Sequence, residues 1–440
     1  MPRQWDKLIQ WFRRSDTDPT PEVAVKRQQW VRDPDNRYNS YRSRLSEPPR
    51  IDPQTVIPPP KRAVHPDMVA ASSSLGLTLH RHLARKAPEE NLVVSPVSVN
   101  LALAMAVLGA TGETREELTR VLGTERFPAD ELEGRYADLL QTLRSSAQEQ
   151  ELRIANSVWL NESCQLLPEY ERSVTDCLNA KATSLPFSDA QSVQQINRWV
   201  EEQTNGKIGS ILDSLSEQQL LILINCVYFK GLWDEPFEKE RTKDRIFHGV
   251  ARKRQRPFMH TRSGFDYLED ADGQAVCLKY GGFSSLQMWI FLPTRNMGLQ
   301  RFLDNLKPSF WADVQRQYRH RPGTLALPRF KMECSNDLIS GLQAAGIRRA
   351  FDQVRGEFAE MLAAPEPLYI SAVKQKAYLE VTEEGTEAAA ATYVEMMPTM
   401  AMRPERPPKP FEMIVDRPFF VAVGDKSSGL LLFTASVWEV

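Results

Sequence analysis

The chain has 440 residues and carries 57 Asp and Glu against 55 Lys and Arg, so that its net charge is −2. This near-neutral balance gives no global reason to expect nucleic acid or an anionic membrane as a partner. Five widely spaced cysteines without a Cys-x-x-Cys pair argue against a disulfide framework and against a zinc site.

Residues 1–68 form an extension that differs from the rest of the chain. They are rich in Arg and Pro, as in Pro48-Pro49 and Pro58-Pro59-Pro60, and lack aliphatic periodicity, which predicts a largely disordered segment. Apolar side chains among the first fourteen residues suit one helical face, either of a short tail helix or of one that binds a membrane surface or a partner. Charged residues interrupt them, so they do not predict a secretion signal. Because no run of about 18 apolar residues exists, we expect no membrane span.

Beyond residue 72 the hydrophobic pattern predicts mainly helices first and mainly strands last. One helix is predicted to begin near Leu75, three more cover 98–109, 113–123 and 130–145, and a fifth contains Asn197. The predicted strands cover 152–160, 220–228, 325–332, 368–373, 419–423 and 430–437, of which the apolar run 220–228 fits burial on both faces. This order favours an α+β fold over a repeating βαβ fold.

The sequence lacks the short motifs of common enzymes. There is no Gly-x-Ser-x-Gly elbow, no phosphate-binding Gly loop that ends in Gly-Lys-Ser/Thr, and no His-Glu-x-x-His. The close histidines His80 and His82 face two directions on a predicted helix and make a poor metal site. We therefore predict a protein that is not an enzyme and that needs neither a metal nor a cofactor.

The most informative segment lies about fifty residues from the C-terminus. The strand-like residues 378–382 are followed by Gly385, by a run of very small side chains and then by a Pro-rich stretch up to Pro410. The prolines argue against a compact helical domain there. A segment of small side chains behind a glycine could enter a sheet with little steric cost. The pattern predicts a conformational switch.

Five motifs in this order resemble those of the serpins, a family of serine protease inhibitors. They are Asn91-Leu92-Val93-Val94-Ser95-Pro96 with Gly109-Ala110-Thr111-Gly112-Glu113-Thr114, Ile196-Asn197-Arg198-Trp199 with Thr204-Asn205-Gly206-Lys207, Asn225-Cys226-Val227-Tyr228-Phe229-Lys230-Gly231-Leu232-Trp233, the segment 383–392, and Asp416-Arg417-Pro418-Phe419. The resemblance covers 69–440. It implies a serpin fold of about nine helices around three β-sheets, with an exposed reactive-centre loop at about 383–410.

The resemblance also implies roles for three groups of residues. The hinge of the loop is Gly385, Thr386, Glu387, Ala388, Ala389, Ala390, Ala391 and Thr392. The breach set, where insertion into the main sheet begins, is Trp233, Arg329 and Glu383, with an ion pair between the last two. The shutter set under the centre of the sheet is Ser95, Ser98, Asn225 and Gln375. Gln375 takes a position that commonly holds His, and its amide can still donate and accept hydrogen bonds.

In inhibitory serpins the cleaved loop enters the main sheet as a new strand, and the hinge residues suit that step. Strand side chains alternate between two faces, which places Thr386, Ala388 and Ala390 on one face and Glu387 on the other. A buried unpaired carboxylate is costly, so the uncharged face is the one that can enter the sheet. This favours an inhibitor; a non-inhibitory carrier or chaperone is the alternative.

The family spacing of fourteen residues from Gly385 predicts the reactive bond at Thr399-Met400. A serine protease would be held there as an ester on Thr399. Thr399 suits an elastase-like protease, whereas Met397 and Met400 suit chymotrypsin-like enzymes. Arg403 would attract trypsin-like enzymes. The long Pro-rich stretch after the bond leaves its register open.

Two partner hypotheses concern charged segments. The cluster Arg252-Lys253-Arg254-Arg256 suits a polyanion such as a sulfated polysaccharide or another negatively charged partner, but the favoured interpretation is a solvated strand or turn edge protected by charge. The predicted helix 130–145 corresponds to one that holds heparin-binding basic residues in several serpins and is acidic here, which argues against heparin activation through it. A contact of a polyanion or a protein with the N-terminal extension is a further hypothesis. We expect a monomer whose partner is a target serine protease, with a cysteine protease as the lesser alternative.

The compartment is open between two hypotheses. Asn161-Glu162-Ser163 is an N-glycosylation sequon, and serpins are often extracellular, which together favour a secreted glycoprotein. The missing secretion signal and the odd number of cysteines favour the cytoplasm. Of the two, secretion is the favoured hypothesis.

Overall fold

The computed structural model describes residues 60–148, 150–282, 284–363, 368–385 and 409–440, within a compact unit that spans Ile57–Val440. Nine α-helices fall in this part of the chain: α1 (Pro66–Lys86), α2 (Pro96–Gly109), α3 (Gly112–Leu122), α4 (Ala129–Ser146), α5 (Pro168–Leu178), α6 (Ala190–Gln203), α7 (Leu299–Asp304), α8 (Phe310–Gln317) and α9 (Ile339–Ala344). None of these described helices combines the length and the apolar character needed to cross a membrane.

Helix α2 is buried almost completely because it is predominantly apolar, with Ser98 and Asn100 as its polar side chains. It begins with Pro96, whose fixed φ suits a first helical position, and it contains no charged residue. All of its residues except Leu108 are buried. An uncharged helix with apolar residues around its whole circumference belongs in a core. By contrast, α3 and α4 are amphipathic, as their sequences predict, and α3 ends before Gly123, which has a left-handed φ of 66°.

The described residues also form fourteen strands. They are β1 (Leu92–Val94), β2 (Glu151–Asn161), β3 (Lys181–Leu185), β4 (Leu221–Lys230), β5 (Lys243–His248), β6 (Lys253–Glu269), β7 (Gly273–Lys279), β8 (Leu286–Pro293), β9 (Arg319–Pro328), β10 (Phe330–Asp337), β11 (Ile370–Val381), β12 (Phe411–Ile414), β13 (Phe419–Asp425) and β14 (Leu431–Val437). Helices come mainly first and strands mainly last, which confirms the α+β class.

Five strands form a sheet in the order β10-β11-β4-β2-β3. Its central strand β4 is buried along its whole length up to Lys230, as its apolar run predicts. The neighbours β4 and β11 are parallel and stay paired from Leu221 to Phe229 on β4, whereas β10 and β2 pair antiparallel on either side of them. This parallel pair positions the candidate site.

The other nine strands form one hydrogen-bonded sheet in the order β1-β14-β13-β8-β7-β6-β9-β12, with β5 attached to β6. The 17-residue strand β6 joins its two halves: residues 253–258 pair with β5, 258–267 with β9, and 266–269 with β7. The resemblance implies three sheets, whereas the described strands form two hydrogen-bonded networks. The difference arises because β6 pairs with strands of two of the expected sheets and so joins these sheets into one.

Some predicted elements have different bounds in the structure. The stretch 325–332 was expected to be one strand, but it is the end of β9 and the start of β10, which belong to different sheets. Arg329 lies at the crossing between them. Helix α1 begins at Pro66, before the periodic pattern starts, because the side chain of His65 caps it by accepting a hydrogen bond from the amide of Asp67.

The hydrophobic pattern of the sequence did not predict helix α5 or the strands β5 to β8. Only the charged cluster 252–256 was interpreted as the edge of a strand or turn. In β5 and β6 charged residues occupy many positions, which hides the alternation that identifies a strand. The pairing of β6 with β9, far along the chain, fixes it in the sheet. The five cysteines all lie in the described part of the chain and form no disulfide there, and three of them are buried, namely Cys164, Cys226 and Cys277.

Candidate functional site

The chain turns back on itself where β11 ends. The amide of Gly385 donates to the carbonyl of Thr382 over 3.2 Å, and the hydroxyl of Thr382 donates to the carbonyl of Gly385 over 2.9 Å. Gly385 has a φ of 86°, and a Cβ there would stand 2.1 Å from the carbonyl oxygen of Gly231. Both the positive φ and the close backbone require a glycine. The turn therefore reverses the chain at the end of β11.

The carboxylate of Glu383 is buried inside this turn, with 2% of the residue exposed. Its Oε1 accepts a hydrogen bond from Nε of Arg329 over 2.7 Å, a second one from Nη2 of Arg329, and one from the hydroxyl of Thr242. Burial by itself would raise the pKa of this carboxyl, but the hydrogen bonds from Arg329 and Thr242 outweigh it, so that the pKa lies below the usual value for Glu. The carboxylate is therefore charged and paired at neutral pH.

The indole of Trp233 completes this cluster. Its Nε1 donates to the carbonyl of Thr382 over 2.9 Å, and its backbone amide donates to the carbonyl of Glu384 over 3.3 Å. The ring stacks on Tyr280 with 4.6 Å between centroids. Lys239 forms an ion pair with Glu384 at the surface of the cluster. The three residues of the predicted breach set, far apart in the chain, thus meet around one turn.

The four residues of the shutter set also come together, at the middle of the five-stranded sheet. Gln375 of β11 stands directly opposite Asn225 of β4, and its Nε2 donates to the side-chain oxygen of Asn225 over 2.8 Å. The amide of Ser95 donates to Oε1 of Gln375 over 3.1 Å, and Nε2 of Gln375 donates to the carbonyl of Ser95 over 3.1 Å. The Nδ2 of Asn225 donates to the hydroxyl of Ser98. These bonds tie the start of helix α2 to both strands.

Asn156 is a member of this polar group that the sequence did not reveal. Its side-chain oxygen accepts from Nδ2 of Asn225 over 2.7 Å, and the two residues are direct cross-strand partners on β2 and β4. Only the pairing register of the sheet identifies it. Gln375, Asn225 and Asn156 together form a polar row across three strands, and all three are buried.

The breach set and the polar row lie along the same seam, which is the parallel pair of β4 and β11. A strand placed between two parallel neighbours can run antiparallel to both and complete the hydrogen bonds of each. The turn at 382–385 already reverses the chain at one end of this seam. A strand added there must separate Gln375 from Asn225, which now join the two sides.

Some predicted site residues fall outside the described part of the chain. They are Thr386, Glu387, Ala388, Ala389, Ala390, Ala391 and Thr392 of the hinge, and Thr399 and Met400 of the reactive bond. The site on the described side is therefore the end of β11, its turn and the seam. The basic cluster 252–256 lies at the start of β6.

Asn161, the predicted glycosylation site, is 8% exposed at the end of β2. Its Nδ2 donates to the carbonyls of Glu217 and Gln219, each over 3.1 Å, and its Oδ1 accepts from the amide of Ser163 over 3.2 Å. The folded chain therefore uses this amide to hold two loops together, and it does not present the nitrogen freely to solvent.

The acidic helix α4 contacts the residues that precede α1. The amide of Lys61 donates to Oδ1 of Asp138 over 3.1 Å, and the guanidinium of Arg62 lies 3.5 Å from Glu131 and 4.0 Å from Asp138. Asp138 is buried. Part of the negative charge of this helix is thus compensated by the guanidinium of Arg62.

Comparison with known proteins gives one family. Residues 70–440 match the model of the serpin (serine protease inhibitor) family. An uncharacterised serpin-like protein of Thermococcus kodakarensis is 34% identical over 372 residues, which cover 83% of this chain and 84% of that protein. Among solved structures, the thermophilic serpin tengpin in its native state gives a TM-score of 0.75 at 25% identity and covers 86% of this chain and 96% of tengpin. Human thyroxine-binding globulin complexed with thyroxine gives a TM-score of 0.74 at 25% identity, with 84% and 98% covered.

The ion pair at the turn leads to a pH-dependent prediction for Glu383→Gln. Because the pKa of Glu383 is lowered in the folded state, its charge stabilises the fold fully above the pKa of an unfolded Glu, about 4.3. This stabilisation is lost as the pH falls through the lower folded value. We expect the substitution to cost about 1–2 kcal/mol at pH 7, since Arg329 is partly exposed and water there screens the pair. Unfolding followed from pH 7 to pH 3 measures this difference.

The matched control is Glu384→Gln, which removes the neighbouring carboxylate from its ion pair with the exposed Lys239. We expect a smaller loss of stability there, because exposed pairs contribute little. Equal losses in the two variants at pH 7, or a loss in Glu383→Gln that does not shrink as the pH falls below the pKa of an unfolded Glu, would contradict the role assigned to the buried carboxylate.

Proposed function

Because the chain belongs to the serpin family, whose members are generally protease inhibitors, we propose that it inhibits a serine protease as a suicide substrate. The observation that carries this proposal is the seam between β4 and β11 with a chain reversal at its end. The cleaved loop would enter this seam as a sixth strand. The polar row and the Glu383–Arg329 pair would hold the sheet closed until then.

The geometry of the seam supports insertion by strand addition. A strand that continued the chain reversal beyond Gly385 would run antiparallel to β11, and because β4 is parallel to β11, it would run antiparallel to β4 as well. Each backbone group of the new strand can therefore find a partner on one side or the other. The alternation of side chains places Thr386, Ala388 and Ala390 toward one face. No charge has to be buried on that face.

The chemical step would be the first half of a normal hydrolysis. The serine hydroxyl of the protease adds to the carbonyl carbon of Thr399, and its proton passes through the protease's His to the departing amine of Met400. The bond between Thr399 and Met400 breaks, and an ester joins Thr399 to the protease. Water would then release the protease unless insertion of the loop traps the ester first. Inhibition is thus a competition between strand insertion and ester hydrolysis.

The experiment that tests this function is incubation with elastase, chymotrypsin and trypsin, followed by electrophoresis in SDS. An inhibitor gives a complex that survives SDS with at least one of them, because the link is covalent. It also gains markedly in melting temperature once its loop is cut, because the inserted strand adds a full set of sheet hydrogen bonds.

The second candidate function is a non-inhibitory carrier, favoured by the similarity to thyroxine-binding globulin complexed with thyroxine. A carrier would be cut without forming a covalent complex, and cutting would leave its melting temperature unchanged. Both results together would overturn the inhibitory proposal.

The insertion face can be tested by Thr386→Arg. A guanidinium at this position would have to enter the sheet without a partner, which is costly. We expect the variant to be cut at the same bond while the covalent complex with the protease disappears. The measurement is the ratio of complex to cut inhibitor on an SDS gel.

The control for this variant is Glu387→Arg, which carries the same new side chain on the alternate face of the strand. We expect Glu387→Arg to keep forming the complex. If Thr386→Arg forms the complex as well as the unchanged chain does, the insertion face is assigned wrongly.

The position of the bond can be tested by Thr399→Arg. The residue on the acyl side of the bond fills the primary pocket of the protease, so this change should redirect inhibition from elastase-like to trypsin-like enzymes. Sequencing of the released C-terminal fragment checks the register directly. A fragment that begins at Met400 agrees with the proposal; one that begins at Ala401 or Pro404 moves the bond and removes the argument for an elastase-like target.

A further inference from the structure

The hairpin of β5 and β6 carries a concentration of positive charge that the proposed inhibition does not use. Residues 239–262 contain nine Lys and Arg but only two Asp and Glu, whereas the chain as a whole has a net charge of −2. The register places Arg245 directly opposite Arg256. Like charges across a strand pair are destabilising. The hairpin therefore carries an electrostatic cost.

Two cations at the base of this hairpin are paired, whereas two at its tip are not. Lys239 pairs with Glu384 and Arg241 with Glu238. Within the described chain, Arg252 and Lys253 form no ion pair with a carboxylate, and both are exposed. Their positive field is thus available to an external anion.

The same hairpin also exposes aliphatic side chains. The described residues include three exposed large hydrophobic side chains, and two of these lie on this hairpin. Ile246 is 55% exposed and Val250 is 43% exposed. An isolated exposed hydrophobic residue needs no explanation. Two of them beside unpaired cations on one hairpin form a surface with both apolar and cationic character.

The pleat of the strands separates these groups from the core. Ile246 stands opposite Gln255, which lies two residues from Lys253, so Ile246 and Lys253 share the outer face of the hairpin. The other face carries Phe247, which is buried and contacts Phe419 at 6.4 Å between ring centroids. We define the hairpin surface as the outer-face residues Ile246 and Lys253 together with Val250 and Arg252 at the tip.

Three carboxylates lie near the hairpin surface and set its limits. Oδ2 of Asp416 lies 4.0 Å from Nε2 of His248, which stands directly opposite Lys253. Asp244 shares the outer face, two residues further from the tip than Ile246. Glu439 accepts a hydrogen bond from the amide of Ala251 over 3.0 Å, which holds the tip against the C-terminal residues. The tip is thus a fixed projection whose outer side chains are cationic and aliphatic.

We propose that the hairpin surface docks on an anionic lipid bilayer. Arg252 and Lys253 bind the acidic headgroups, while Ile246 and Val250 enter the interfacial layer between them. A sulfated polysaccharide or a nucleic acid would use the cations alone and leave both aliphatic side chains in water. The four residues of the hairpin surface also include no aromatic ring on which a base could stack. An anionic membrane uses both kinds of side chain.

This inference is independent of the proposed inhibition, because the hairpin surface is formed by β5 and β6 and not by the loop. The net charge of the whole chain gave no reason to expect an anionic membrane as a partner. A few local cations can nevertheless attract an anionic bilayer within about 10 Å, because salt screens the distant negative charges of the chain. The interpretation of the cluster as a charged strand edge does not account for the exposed aliphatic residues.

The test is sedimentation of the full chain with phosphatidylcholine vesicles that contain or lack phosphatidylserine. We expect binding only to vesicles with phosphatidylserine, and its loss at high salt. The double variant Arg252→Gln/Lys253→Gln should bind about thirtyfold more weakly, which corresponds to about 1 kcal/mol for each cation. The matched control is Arg85→Gln/Arg316→Gln, which removes two exposed arginines from α1 and α8 and should bind as the unchanged chain does.

A second double variant separates a bilayer from other polyanions. Ile246→Ser/Val250→Ser should weaken vesicle binding but leave retention on a heparin column unchanged, whereas the cation variant should lose both. All variants keep residues 1–68, so any contribution of that segment is common to them. Equal vesicle binding by Ile246→Ser/Val250→Ser and the unchanged chain would overturn the proposal, as would heparin binding without vesicle binding. Complex formation with a protease, measured in parallel, reports on the inhibitory function separately.

Discussion

The buried carboxylate of Glu383 is the constraint on which the arrangement of the site depends. It lies at the end of β11, and its two hydrogen-bonding partners come from other parts of the chain. Arg329 lies between β9 and β10, and Thr242 is the residue before β5. A charge in such a position is tolerable only with partners of good geometry. Its pairing therefore fixes the end of the five-stranded sheet against the nine-stranded one.

This fixed end stands beside a seam that is polar at its centre. Gln375 and Asn225 join β11 and β4 through a side-chain hydrogen bond, and Asn156 continues the row into β2. Amide groups can exchange partners with a strand that arrives between them, provided that their hydrogen bonds are made again. The combination of a paired charge at the end of the seam and a polar row inside it supports the strand insertion that we propose.

The surface of the molecule is divided by charge in a way that the net charge hides. The acidic helix α4 accepts a hydrogen bond from the backbone amide of Lys61 and lies near the guanidinium of Arg62, so part of its negative charge is compensated within the chain. The β5–β6 hairpin leaves Arg252 and Lys253 without a carboxylate partner in the described structure and exposes aliphatic side chains beside them. This is the surface at which we propose that an anionic bilayer docks.

Composition, periodicity and contiguous motifs were enough to predict the α+β class, the apolar helix α2, the buried strand β4 and the family, because each of these is local. Through the resemblance they also predicted the breach and shutter sets, whose members meet in the structure. Three other features depend instead on which strands pair and in what register. They are the division of 325–332 between two sheets, the place of Asn156 opposite Asn225, and the common face of Ile246 and Lys253. Only the tertiary structure decided these, because pairing joins residues far apart in the chain and a shift of one residue moves every side chain to the other face.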